Sequence, residues 1–271
     1  MTNSPARLIR LAGAHNVRDL GGYATKDDGE TRWRALLRGD GLHLLNENDM
    51  SVLVNEGLRT VIDLRSVHEL AIEPNPFASH AIIQYRNIPL FGALSPIDAV
   101  RESNGALFDM AARYRDAIDQ CREPIATVLT AIAEADEGIV LFHCSAGKDR
   151  TGIIAALLLS LAGVEDDTII ADYALTTSIA APLIERLRAQ ALTRGTDPHL
   201  VESFLACPPE TMRATLSHLN ENHGGTFHYL AGMGLDERAL RKLKSRLVPV
   251  SASAGKSGSS EELHNSEQFN G

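Results

Sequence analysis

Between Leu8 and Val248 the chain alternates two kinds of apolar pattern. The β-branched runs LRTVIDL (58–64) and GIVLFHC (138–144) are short and nearly continuous, which predicts buried strands. NENDMSVLVNEG (46–57), REPIATVLTAIAEADEG (122–138) and TGIIAALLLSLAG (151–163) instead place apolar residues at helical spacing and end in glycine. Strands alternating with helices predict an α/β fold with a central, mainly parallel sheet flanked by helices. From Glu165 onward the pattern is almost wholly helical, as in SIAAPLIERLRAQAL (178–192) and ERALRKLKSRLV (237–248). After Ser251 the chain is rich in serine, glycine and polar residues and cannot bury enough apolar surface to order itself. The expected organisation is one domain over 1–250 and a disordered tail over 251–271.

One polar interruption stands out. HCSAGKDRTG (143–152) lies between a predicted buried strand and a predicted buried helix, at a strand's carboxyl end, the edge where open α/β sheets bind ligands. Gly147 and Gly152 permit close approaches and unusual backbone angles. A turn of this kind aims successive N–H groups of Ser145, Ala146, Gly147 and Lys148 inward, and the helix that follows adds its positive end. The expected result is an anion cradle. Cys144 at its mouth is expected to react as a thiolate, and Arg150 presents a planar fork suited to two oxygens of a phosphate. Thiolate attack on phosphorus, followed by hydrolysis of the cysteinyl phosphate, is the reaction this set can perform.

Composition narrows the field. The chain has 271 residues, 44% of them hydrophobic, enough for a sizeable core. Its formal charge of −9 opposes general affinity for nucleic acid or anionic membrane, so an anionic substrate must be held by local cations. The apolar stretch 153–163 is too short to span a bilayer and the start shows no secretory signal, so stable membrane insertion is not expected and a cytoplasmic location is. Cys121, Cys144 and Cys207 are too few and scattered for a disulfide framework or a zinc site, and neither cofactor nor metal is expected.

The spacing His-Cys, five residues, Arg, Thr-Gly resembles the signature of cysteine-dependent tyrosine and dual-specificity phosphatases. HCSAGKDRTG together with NVRDLGGY (16–23), LLRGDGLH (36–43) and VIDLRSVHE (61–69) is similar to the bacterial tyrosine phosphatase family that contains lipid-active and mycobacterial virulence members. The late YLAGMGLDERALRKLKSRL (229–247) resembles the closing helices of that family. The resemblance implies a cysteine-phosphatase-like fold and hydrolysis of phosphomonoesters, with protein phosphotyrosine the first candidate and phosphoserine, phosphothreonine or a phosphoinositide the alternatives. Inorganic phosphate and vanadate are the expected inhibitors. It also implies that His143 orients the loop and that an aspartate at the Asp149 position serves as general acid.

Two aspartates compete for that acid role on the residues alone: Asp149 inside the loop, and Asp98 in LFGALSPIDAV (90–100), where a separate acid loop would fall. Thr151 reads either as a first-turn helix residue or as a donor to the thiolate. Lys148 reads as a second cation at the mouth, Asp63 and Arg65 as a supporting ion pair at the same sheet edge. Asn16, Arg18, Asp19, Gly21 and Gly22 read as a turn that braces the loop. A sulfurtransferase would also use a thiolate in an anion loop but has no need of Arg150, and a catalytically silent binder would more naturally lack Cys144, Arg150 or Asp149. The helical segments 104–121, 181–195 and 199–220 are expected either to cover the pocket as a lid or to pack as core.

Overall fold

The computed structural model describes residues 7–90, 94 and 108–249. In chain order the elements are β1 (Arg18–Asp19), β2 (Leu36–Gly39), α1 (Glu47–Glu56), β3 (Leu58–Asp63), α2 (Val67–Ile72), a 3₁₀ turn (Pro76–Ser79), β4 (Gln84–Asn87), α3 (Met110–Gln120), α4 (Arg122–Glu134) and β5 (Ile139–His143). Eight helices follow among the described residues: α5 (Asp149–Leu161), α6 (Asp166–Ala174), α7 (Thr176–Ile179), α8 (Ala181–Thr193), α9 (Pro198–Leu205), α10 (Pro209–His223), α11 (Thr226–Ala231) and α12 (Glu237–Leu247).

The strands form one sheet in the order β1-β2-β5-β3-β4, parallel throughout except for the antiparallel β1–β2 pair. Both faces are covered, which explains the continuous apolar runs of β3 and β5. Leu36, Ile62, Val140 and Phe142 join a large core with residues of α3, α4, α5, α10 and α12. Their neighbours Leu37, Val61, Ile139 and Leu141 point the other way, into a smaller core that includes Leu53 of α1 and Phe77. Period-two alternation thus divides each strand between two apolar layers.

Parallel register sets the functional edge. Gly39 of β2 pairs with His143 of β5, and His143 pairs with Asp63 of β3, so three strands end on one rung and the chain leaves β5 at the centre of the sheet. The α5 helix that receives it is buried along nearly its whole length, consistent with its lack of a polar face.

The segments expected as either lid or core divide between the two. Tyr114, Ala117 and Ile118 of α3 and Met212, Leu216 and Leu219 of α10 belong to the large core, so these helices are scaffold. Only α8 and α9 stand apart, joined through a small apolar cluster of their own made by Ala191, Val201 and Leu205. Residues 104–107 of the first segment lie outside the described residues, as do Asp98 and the tail from Ser251.

Candidate active site

The loop that follows His143 is shaped by what holds its carbonyls. The Ser145 carbonyl accepts from the Gly41 N–H at 2.9 Å, the Ala146 carbonyl from Asn16 Nδ2 at 3.1 Å, and the Gly147 carbonyl from Arg38 Nη2 at 2.8 Å and Asn16 Nδ2 at 3.3 Å. In a planar trans peptide the N–H opposes the carbonyl. Fixing three successive carbonyls outward therefore turns the N–H groups of Ala146, Gly147 and Lys148 inward, making a nest for an anion. Gly147 makes this turn at φ +66°, and a Cβ there would stand 2.7 Å from the Gly39 carbonyl oxygen and 2.8 Å from Asn16 Nδ2.

Beneath the loop lies a buried ionic network. Asp172 of α6 accepts from Arg18 Nε at 3.0 Å, from Arg38 Nη1 and from the Tyr23 hydroxyl at 2.8 Å, while Arg18 also donates to Asn16 Oδ1. Burial alone would raise the Asp172 carboxyl pKa, but the two guanidinium groups hold it well below the usual carboxylate range. Two buried cations against one carboxylate leave a positive excess under the nest, where a dianion gains from it.

Cys144 is 2% exposed and lines a cavity of about 150 Å³ together with Ser145, Ala146, Lys148, Asp149 and Arg150. Its roof is Ile184, Leu187 and Ala191 of α8 with Phe204 and Leu205 of α9. A larger groove of about 590 Å³ beside α4 shares no residue with the loop and contains no cysteine.

Arg150 is gripped from the side by Glu69. Nη1 donates to Oε2 and Nη2 to Oε1, each at 2.7 Å, and the Ser145 hydroxyl donates to Oε1 at 2.6 Å. The same carboxylate closes the capping box of α2 by accepting from the Ser66 N–H at 2.9 Å. Burial pushes the Glu69 carboxyl up, yet its bonds to Arg150 outweigh that and bring its pKa down to about 2. Glu69 was within VIDLRSVHE, but its role is invisible there because the contact joins residues 81 apart. Asp172 carried no local signal.

The remaining predicted residues fall into place around this centre. Asp149 accepts from the Tyr114 hydroxyl at 2.8 Å, and Lys148 Nζ lies 3.3 Å from the same oxygen, Oδ1. His143 is fully buried between Asn75 Nδ2 at 2.9 Å and Asp63 Oδ2 at 3.2 Å on Nε2, with Nδ1 3.1 Å from the Cys144 carbonyl oxygen. Asp63 in turn binds Arg65 at 2.8 Å, buried. One expectation changes: Lys148 is not a free cation at the mouth, being 2% exposed and donating to the carbonyls of Phe204 and Ala206 at the end of α9. Of the two readings of Thr151, its place in the first turn of α5 fits the helix residue, and its hydroxyl points to the Gly39 carbonyl at 3.5 Å. All three cysteines are buried, and none forms a disulfide.

The family model described as "Tyrosine phosphatase family" matches residues 9–249. Among curated proteins, a tyrosine-protein phosphatase of Nostoc commune is 31% identical over 223 residues, covering 79% of this chain and 74% of the relative. The triple specificity protein phosphatase PtpB of Mycobacterium tuberculosis is 26% identical over 281 residues, covering 88% of this chain and 98% of the relative. Among solved structures, TpbA of P. aeruginosa in complex with pTyr aligns with a TM-score of 0.42 at 15% identity, over 87% of this chain and 100% of that one. With a cysteine-and-arginine loop at the carboxyl edge of a mainly parallel sheet, and a family match that spans that sheet and the helices around it, the chain belongs to the tyrosine phosphatase family and is a tyrosine phosphatase.

Proposed function

We propose that Cys144, Arg150 and Asp149 carry out the hydrolysis in two steps, supported above all by their convergence on one cavity whose floor is a nest of inward N–H groups. In the first step the Cys144 sulfur attacks phosphorus and the bond to the phenolic oxygen breaks. Asp149 gives that oxygen its proton. Tyr114 and Lys148 both meet Oδ1, which leaves Oδ2 to carry the transferred proton. In the second step water attacks the cysteinyl phosphate, Asp149 takes its proton, and the thiolate leaves with inorganic phosphate released.

Arg150 supplies charge where the transition state gathers it. A guanidinium has five N–H donors: Glu69 engages one from each terminal nitrogen, and Nη1 and Nη2 make only longer contacts besides, to the Leu64 carbonyl at 3.5 Å and the Ser145 hydroxyl at 3.3 Å, so the Nε–H and these weakly held donors are the ones to turn to the equatorial oxygens. No step requires a metal ion. Ser145, Ala146, Gly147 and Lys148 bind the phosphate through backbone N–H groups, and His143, Asp63 and Arg65 hold the strand end from which the loop departs.

Protein phosphotyrosine is the substrate this reading favours. The Ile184, Leu187 and Phe204 part of the roof is apolar and suits an aromatic leaving group, and Lys148 is engaged by the carbonyls at the end of α9, while Arg194 at the cavity's edge is the extra cation a polyanionic headgroup would use. A phosphoinositide, the alternative the motif resemblance implies, is the reading to test against. Turnover of a phosphopeptide panel and a phosphoinositide panel, both with chelator present, decides. Faster phosphotyrosine hydrolysis is expected, and dominant phosphoinositide turnover or a metal requirement would overturn the reading.

A further inference from the structure

Away from the loop, α3 and α10 end side by side. Asp119, next to last in α3, faces His218 and His223 in the closing turns of α10. His218 Nε2 lies 3.0 and 3.1 Å from the two carboxylate oxygens, and His223 Nε2 lies 2.8 Å from Oδ1. The two imidazoles meet edge to face with centroids 5.5 Å apart, and one ligand atom from each of the three residues lies within 4.8 Å of the others. The imidazoles are mostly covered, while the carboxylate is 45% exposed. The described catalytic residues do not touch this cluster.

We propose that Asp119, His218 and His223 form a binding site for a divalent transition metal of the zinc class, separate from the phosphatase chemistry. Two imidazole nitrogens and a carboxylate oxygen are a suitable donor set, and the open side of Asp119 leaves a fourth position for water. Ligand bonds of about 2.0–2.2 Å in a tetrahedron place donor atoms a little over 3 Å apart, so the present 2.8–3.1 Å separations need only small side-chain rotations.

The surroundings also fit. Asn222 Nδ2 is 2.7 Å from His218 Nδ1. Rotating that amide by half a turn presents Oδ1 to an Nδ1–H, which releases Nε2 as a ligand and fixes the ring. His223 is braced edge to face against Tyr229 at 5.1 Å. A bound ion therefore staples the end of α3, the helix whose Tyr114 reaches Asp149, to the end of α10.

The test uses the full chain as Cys144→Ser, so that the nucleophile cannot take the ion, stripped with chelator and titrated calorimetrically with Zn²⁺ and spectroscopically with Co²⁺. One saturable equivalent is expected, with a rise in melting temperature and a Co²⁺ absorption band typical of low coordination number. His218→Ala, His223→Ala and the isosteric Asp119→Asn should each weaken binding at least about tenfold, as loss of a ligand requires. The exposed His199→Ala should leave it unchanged, and circular dichroism confirms that each variant is folded. Absence of saturable binding, or binding that survives in the His218→Ala/His223→Ala pair, overturns the proposal and leaves a hydrogen-bonded surface triad.

Discussion

Glu69 and Arg150 are joined by two 2.7 Å hydrogen bonds inside a mostly buried site, so each fixes the other's rotamer. Replacing the carboxylate by an amide leaves one Arg150 donor facing an N–H. Glu69→Gln should therefore lower kcat/KM on the order of 10²-fold, the usual effect of misplacing a catalytic group by about an ångström. Steady-state kinetics on a phosphotyrosine peptide reads this directly. The pair also links stability to pH. Glu69 has a folded pKa of about 2 against an ordinary 4.5, so its stabilising contribution is complete above about pH 4.5 and is lost as pH falls toward 2. The melting temperatures of wild type and Glu69→Gln should differ at pH 7 and converge across that window. A gap as large at pH 2.5 as at pH 7 would mean the pair does not titrate this way.

For Asp149 the expected signature lies in the leaving group. Asp149→Asn should cut turnover strongly for alkyl phosphates and weakly for activated aryl phosphates, which need little protonation to leave. Asp98→Asn should do little, and the reverse ranking would move the acid to residue 98. Cys144, Asp149 and Arg150 were readable in the sequence because one decapeptide contains them all. Glu69, Asp172 and Tyr114 were not, since each reaches the loop only through tertiary packing.

Among the elements, the loop depends on a backbone conformation and on the network under it. Gly147→Ala would place a Cβ 2.7 Å from the Gly39 oxygen in a left-handed conformation, so phosphate binding should be lost with little change in secondary structure. Asp172→Asn strands Arg18 and Arg38 as buried uncompensated cations, at a cost of about 3–5 kcal/mol, measurable by urea unfolding. Strands and helices of this part of the chain were legible from periodicity. Which helices cover the pocket was not: α3, α8, α9 and α10 all show amphipathic spacing, and only packing separates the core helices from the α8–α9 roof. That roof is tied to the loop through Lys148. Amides of α8 and α9 should exchange faster than those of α5 and slow when vanadate occupies the nest. Uniform protection, unchanged by ligand, would make them fixed scaffold.

Over the whole molecule, a net charge of −9 surrounds a site built from cations and N–H groups. The acidic surface repels a phosphorylated substrate at long range, and the nest must capture it at short range. No helix among the described residues is long and apolar enough to cross a membrane. The candidate site was legible from one short stretch and from the strand pattern that predicts a parallel sheet to aim it. The account stands most directly on the covalent step. Rapid acid quench of the enzyme turning over a ³²P-labelled phosphotyrosine peptide should leave label on protein, and peptide mapping should place it on Cys144. The label should vanish in Cys144→Ser. Label on another residue, or undiminished turnover in Cys144→Ser, would contradict the mechanism.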